Sequence, residues 1–400
     1  MREGPFPLAS LAECGVSLYD CEHATPPDEY EGYPYLAIPN LKGGRVDLKD
    51  VRRISRTQLA KWNRRVTPQG GDIIMTRRGR VGDTAVVPDG LECTIGQNLV
   101  ILRSESGRID QAFLRWALRG PLYDAEVQRL LNVGAVFDSL NCSDIPKISI
   151  PVPPMAEQRA IAGVLGALDD KIESNRRAIN QLEKLFMLEC ELLLAGTDPV
   201  AVERMADLAE LALGGTPSRA KPEFWTEGEI PWINSGCLHE RPVLTPADRI
   251  TRLGLERSAT KMIPAGATVV AITGATLGVV SRLGMACAIN QSVVAISAAD
   301  PQLNTYLHFW MRSNISALVS SATGAAQQHV NKSNFEELQV DIPAASVLAS
   351  IGERRGLLDH EVALARESQT LTMLRDALLP ELLSGRLRVR NAEQVLSEAL

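Results

Sequence analysis

The chain carries one pattern twice, about 190 to 197 residues apart, and this repeat restricts it to a duplicated architecture. Leu11-Ala12-Glu13 returns as Leu208-Ala209-Glu210, and Pro34-Tyr35-Leu36 as Pro231-Trp232-Ile233. The stretch from Gly71 to Gly82 returns from Gly266 to Gly278 with one inserted residue. Ile95-Gly96-Gln97 matches Ile289-Asn290-Gln291, and Phe113-Leu114-Arg115-Trp116 matches Tyr306-Leu307-His308-Phe309. Gly134-Ala135 and Asn141 match Gly324-Ala325 and Asn331. A shrinking offset is what loops of different length produce on a shared framework. A period this long means a repeated domain, not a solenoid of short units.

Each copy divides into two parts. The first is rich in Gly, Pro and short β-branched runs: Gly71 to Met75, Asn98 to Leu102, Ala267 to Ala271 and Ser292 to Ile296. Such runs predict strands. Short helical patches near Gln111 to Leu118 and Asn304 to Ser313 complete an α+β globule. Ile150-Pro151-Val152-Pro153-Pro154 and Val340-Asp341-Ile342-Pro343 close the two globules, because proline holds the backbone extended.

A long helix is predicted after each proline exit. From Met155 to about Leu194 there is no proline, and apolar residues fall at 161, 165, 168, 172, 179, 182, 186 and 193. Steps of four and three make a coiled-coil seam, with Asn175 and Glu189 as its polar positions. About 37 residues at 1.5 Å each reach roughly 55 Å. The second helix, from about Ala344 to Leu379, keeps the seam at Ile351, Leu358 and Val362 but carries Arg355, Gln369 and Thr372 at positions that are apolar in the first. Pro380 is expected to end or kink it. A lengthwise apolar stripe needs a partner. Either the two helices pack antiparallel about a pseudo-twofold axis with the globules at opposite ends, or each helix lies against its own globule. The domain plan is 1–154 and 197–343 for the globules, 155–196 and 344–390 for the helical regions, and 391–400 for a tail.

Composition narrows the function. No run of 18 apolar residues occurs, the first residues hold no apolar signal core, and the expected location is the cytoplasm, away from any membrane. Seven cysteines without a C-x-x-C pair argue against a disulfide framework or a zinc site. The net charge is −6, yet residues 40–80 hold twelve Lys or Arg against three Asp. That local excess fits a surface that neutralises phosphates. Residues 215–285 carry eight basic and six acidic side chains, so the second globule must rely more on neutral donors.

The arrangement resembles the specificity (S) subunit of Type I restriction–modification systems. Gly214-Gly215-Thr216-Pro217-Ser218 with Ile230-Pro231-Trp232-Ile233 is similar to the G-G-T-P-S…I-P-W-I opening of such domains, and Asp20 to Pro26 to its D-x-x-H-x-T-P variant. Pro153 to Ile161 resembles the P-P-L-x-E-Q-x-x-I helix entrance, Asp169-Asp170-Lys171-Ile172 the D-x-x-I that follows, and Leu379 to Leu387 the L-L-x-x-L-L-S-G-x-I end. The second helix departs from the pattern, starting Ala344-Ala345-Ser346-Val347-Leu348.

The resemblance implies two α/β target recognition domains in pseudo-twofold arrangement, separated by two long antiparallel coiled-coil helices. It implies a bipartite target in double-stranded DNA, one half read by each globule. It also implies two methyltransferase subunits docked on the framework, using S-adenosylmethionine that this chain does not bind, and restriction subunits where cleavage occurs. Catalytic machinery is not expected. Thr25-Pro26-Pro27-Asp28 lacks the D/N-P-P-Y/F/W pattern of amino-methyltransferases, no G-x-x-x-x-G-K-[ST] loop occurs, and the five histidines show no metal spacing.

Base readers and phosphate contacts come from Arg, Lys, Asn, Gln, Ser and Thr. In the first globule the candidates are Arg77, Arg78 and Arg80 after a predicted strand, Lys42, Arg45, Arg52 and Arg53, and Asn40 as a base reader. In the second they are Thr216, Ser218, Arg219, Lys221, Asn234 and Ser235. Gln97 and Gln291 repeat in copies whose targets differ, which marks them as framework. The competing readings are a coiled-coil scaffold that reads no DNA, an enzyme in its own right, and the specificity part of a related combined methyltransferase/endonuclease system.

Overall fold

The predicted runs become the inner strands of two similar sheets in this computed structural model, which describes residues 5–134, 138–322 and 330–389. In the first copy Leu99–Ser104 lies between Val16–Asp20 and Ile73–Thr76, and Thr84–Val86 follows, all antiparallel. In the second, Val293–Ser297 lies between Glu210–Leu213 and Thr268–Ala271, followed by Val280–Arg282. Near-continuous apolar runs suit these strands because both faces are covered: Ile73, Ile74, Met75 and Leu99 to Leu102 are buried, as are Val269, Val270 and Val293 to Ile296.

A smaller sheet repeats too, with one strand more in the second globule, where Lys261–Ile263 joins Cys287–Ile289. Tyr33–Leu36 pairs antiparallel with Arg52–Ile54 and parallel with Thr94–Ile95. Ile230–Ile233 pairs the same way with Asp248–Ile250 and Cys287–Ile289. A two-stranded ribbon closes each globule, Leu8–Ser10 with Ser149–Pro151 and Ala201–Arg204 with Gln339–Ile342. One addition distinguishes the first globule. The hairpin of Leu41–Lys42 and Arg45–Val46 extends its main sheet, with Arg45 parallel to Val86.

The first long helix runs Met155–Leu194. The second is two helices, Ala345–Glu353 and Arg355–Ser384. Pro380 does not end it: the helix passes through and stops at Gly385, whose φ of 74° takes the left-handed turn that glycine tolerates. The break falls at Arg354, next to Gly352, where a Cβ would press on the side chain and backbone of Gln302.

The chain folds as two compact units, residues 1–170 with 371–400, and residues 171–370. Within each, the two long helices pair antiparallel. In the second unit Glu189 meets Arg354 at 2.6 Å and Asn175 meets Glu367 at 2.8 Å. In the first, Asp169 meets Arg375 at 2.8 Å and Glu157 lies 3.9 Å from Arg388. The helices also pack on their globules, so the two sequence alternatives are both partly realised. Phe186, Cys190, Ile351 and Leu358 share one core with Met205, Tyr306 and Leu307. Gln158 accepts from the Asp110 backbone N–H at 2.8 Å and donates to the Arg108 carbonyl at 3.2 Å. No described helix is long and apolar enough to cross a membrane, and all seven cysteines are free. Ala135, the Gly324-Ala325 pair and the 391–400 tail lie outside the described residues.

Candidate nucleic-acid interface

In the first globule the turn after strand Ile73–Thr76 is gripped on both sides. The Arg77 backbone N–H donates to the Asn98 carbonyl, and the Arg77 carbonyl accepts from Leu140, each at 2.9 Å. The second globule repeats this wedge: Ile272 donates to the Ser292 carbonyl at 3.0 Å and accepts from Val330 at 3.1 Å. Duplication has therefore preserved the backbone that presents this turn, while the residues on it differ, Arg77-Arg78-Gly79-Arg80 against Ile272-Thr273-Gly274-Ala275.

The three arginines of the first turn have separate tasks. Arg77 is largely buried, its guanidinium 3.4 Å from His23 Nδ1 and 3.9 Å from Asp20. Arg80 donates to the carbonyls of Ile38 and Leu41 at 2.5 and 2.7 Å, pinning the next loop. Arg78 is exposed and has no side-chain partner among the described residues. Of the three arginines, it is the one this turn leaves available.

Beside the turn lies a cleft of about 720 Å³. Its walls come from four chain segments and include Thr25, Tyr35, Lys42, Lys49, Arg52 and Gln97. Lys42 is exposed, with Asp47 at 2.7 Å, and Arg52 donates to the Pro26 carbonyl at 2.8 Å. Arg53 donates to the Gly32 carbonyl at 2.8 Å and supports the strand instead of entering the cleft.

Two expected contacts are placed otherwise. Asn40 borders the cleft but is buried, accepting from Ala37 N–H at 2.9 Å and donating to the Asp47 carbonyl at 3.1 Å, so its amide braces the loop. Arg45 points to the long helix and donates to Asp169 at 2.6 Å. The basic count could not separate these from Arg78, because direction depends on strand pairing that only the fold supplies.

The second globule's candidates gather on the equivalent loops. Thr216 donates to Gln291 at 2.6 Å, the counterpart of Gln97 donating to Thr25 at 3.4 Å. The Trp232 indole N–H donates to the Gly215 carbonyl at 3.2 Å, as the Tyr35 hydroxyl donates to Ala24 at 3.3 Å. The glycine pair before Thr216 is required by space, since a Cβ at Gly214 would overlap the Ile289 carbonyl. Ser218 is exposed, and its carbonyl accepts from the Trp225 indole at 3.1 Å. Arg219 stacks over Trp225 at 3.4 Å and pairs with Asp248 at 2.7 Å, which also holds the Asp248 carboxyl below the usual carboxylate range. Lys221 lies over the Phe224 ring at 5.0 Å. Asn234 accepts from Gly236 N–H at 2.9 Å and caps the turn that Ser235 begins.

Asp20, Cys21 and His23 bring ligand atoms within 4.8 Å of one another. Chemically this is a poor cation site. His23 Nε2 is 2.9 Å from Asp20, the Arg77 guanidinium faces Nδ1, and burial pushes the Cys21 thiol up to about 11. The group is read as a clamp on Arg77.

Thr25, Lys49 and Asn98 also line the cleft, though the sequence did not single them out as contacts. The repeated Thr-Pro at 25–26 and 216–217 was the available signal for Thr25.

Residues 22–184 and 198–349 match the family model described as Type I restriction modification DNA specificity domain. The chain is similar to the Type I restriction enzyme MjaIX specificity subunit of Methanocaldococcus jannaschii, 22% identical over 91% of this chain and 86% of that one. A further sequence from that organism, ascribed to the MjaX specificity subunit, is 36% identical over 31% of this chain and 28% of its own length. The EcoR124I/EcoR124II specificity subunit of Escherichia coli is 24% identical, over 49% of this chain and 52% of that one. Among solved structures, the S subunit of a Type I restriction–modification system from M. genitalium superposes with a TM-score of 0.61 at 15% identity, over 95% of this chain and 99% of that one, a likeness of fold.

Proposed function

The chain belongs to the Type I restriction modification DNA specificity family, and from that premise we propose that it is the subunit that reads a bipartite duplex target, one half with each globule. It is a recognition subunit and carries no catalysis. Methyltransferase subunits bring S-adenosylmethionine and transfer the methyl group, and restriction subunits join where the host has them. The site of action is the cytoplasm, where the duplex substrate lies.

The observation that carries this reading is the repeated wedge, one turn held identically in both globules with different side chains on it. Such a pair offers duplex DNA two equivalent approaches and two independent sequences. In the first globule Arg78, Lys42, Lys49 and Arg52 meet the DNA, Arg78 from the turn and the others from the cleft. Arg77 and Arg80 shape that surface. In the second, Ser218, Arg219, Lys221 and Ser235 meet it, and Thr216 and Asn234 hold the loops. Arg219 and Lys221 contact phosphate and leave base reading to the 273–276 turn and its neighbours.

The test is selection of bound duplexes from a random library by the chain assembled with its methyltransferase partner. Two short fixed elements at one gap are expected. Enrichment of no sequence would favour the scaffold reading, and a single continuous element would mean that only one globule reads.

A further inference from the structure

The two long helices carry an aspartate at matching places, Asp169 and Asp359, 190 residues apart, the same offset as Asn141 and Asn331. Each uses both carboxylate oxygens, and divides them the same way. Asp169 Oδ2 takes Arg45 and Arg115 from the first globule, and Oδ1 takes Arg375 from the second long helix at 2.8 Å. Asp359 Oδ1 takes Arg282 from the second globule at 3.1 Å, and Oδ2 takes Arg355 from its own helix at 3.2 Å. In both units one oxygen holds the head and the other holds a helix.

The guanidiniums reach these carboxylates by different routes. Arg282 ends strand Val280–Arg282, whose counterpart in the first globule ends at Val86. Arg45 comes instead from the added hairpin and lies beside Val86 in parallel register. Two strands of different origin thus deliver the same group to the same helix position, which plain inheritance from the duplication does not explain. A second tie joins the second globule to the first long helix, where Glu183 takes Arg312 and, at 3.2 Å, Arg241.

Buried ion pairs add little net stability over a well-packed apolar contact, and their attested use is to fix one geometry among several. Asp169 is 4% exposed, so its knot is of this kind. We propose that Asp169 and Asp359 are positioning residues that lock each recognition globule at one angle on its helix, and that they set how strictly the gap between half-sites is enforced. This rests on the bipartite reading above. One extra base pair moves a half-site by roughly 3.4 Å and turns it by about 35°. A stiff joint rejects that displacement, and a joint able to rock accepts it. The helices set the length of the gap, and the two knots set its tolerance.

The experiment uses the full chain assembled with its methyltransferase partner, and duplexes carrying both half-sites at the preferred gap and at one base pair more or less. In D169N and the double variant, preference for the correct gap is expected to fall by about tenfold, and in D359N, whose carboxylate is half exposed, by about threefold, with the selected half-site bases unchanged. D169E, which keeps the charge, is expected to restore part of the preference. If D169N fails to fold, D359N, whose carboxylate is half exposed, decides alone. Folded variants that keep the full gap preference would overturn the proposal, as would loss of half-site bases. A parent protein with no gap preference at all would instead remove the bipartite reading beneath it.

Discussion

Thr216 donates its hydroxyl to Gln291 at 2.6 Å, and Gln97 and Thr25 join the same two loops of the other globule at 3.4 Å. The pair ties the loop before the Pro-aromatic strand to the turn before an inner strand of the main sheet. It repeats in globules whose exposed turns differ, so it belongs to the support of the reading surface. Thr216→Val is therefore expected to lower the melting stability by about 1 kcal/mol. DNA affinity should drop alike for every sequence, and the selected motif should stay the same. A changed base preference in the second half-site would make Thr216 a reader.

Arg78 and Arg45 carry equal charge in one basic stretch but should answer opposite assays. Arg78→Ala is expected to weaken DNA binding and reduce the salt slope by about one, without changing thermal stability. Arg45→Ala removes one partner of an almost fully buried carboxylate. Because Arg115 and Arg375 still pair that carboxylate, the change is expected to cost on the order of 1 kcal/mol in a melt and to leave the salt slope in place. Salt titrations of binding beside melts of both variants check the pair.

Glu361 gives the second unit a pH dependence. Burial first, then the nearby Glu183, push its carboxyl up to about 8. The unfolded chain loses that proton near pH ~4.3, so between there and about 8 the folded state holds more protons than the unfolded one. Stability from this group accordingly falls as pH rises through that window, and levels off above it. E361Q is expected to flatten that decline, and to be more stable than the parent at pH 9 by on the order of 2 kcal/mol. His308 acts at the other end. Burial first, and then Arg312, hold its ring well below the ordinary histidine value, so stability is lost as pH drops below ~6.5 and the unfolded chain takes up the proton. Denaturant melts from pH 5 to 9 on parent and E361Q measure both.

Much of this molecule was legible in the sequence, and the limits are physical. The duplication exposed both sheets, because inner strands covered on both faces need apolar runs wherever they occur. The seam of the first helix was clear from its spacing. Asn175, its polar exception, is 2% exposed and bonded to Glu367 as well as to the Leu364 carbonyl, a register contact. The second helix was harder. Its polar seam positions have partners off the seam: Arg355 pairs with Asp359 one turn further along its own helix, and Gln369 donates to Thr245 of the second globule at 2.9 Å. Pro380 does not end the helix, which gives up the one N–H bond that proline cannot make and continues for one more turn to Ser384. At the candidate interface, composition located the basic region but not the direction of each side chain. Asn40, Arg45, Arg77 and Arg78 lie within 39 residues of one another, and three of them face inward to the loop, the long helix and a histidine.

In the proposed function, the paired helices set the gap between half-sites. Removing one heptad from each helix, residues 172–178 together with 365–371, shortens the paired stretch by about 10 Å and leaves both globules intact. Methylome sequencing of cells carrying this version with its partner subunits should show both half-sites unchanged, at a gap shorter by up to about three base pairs. The same half-sites at the original gap, or new half-site bases, would contradict the account.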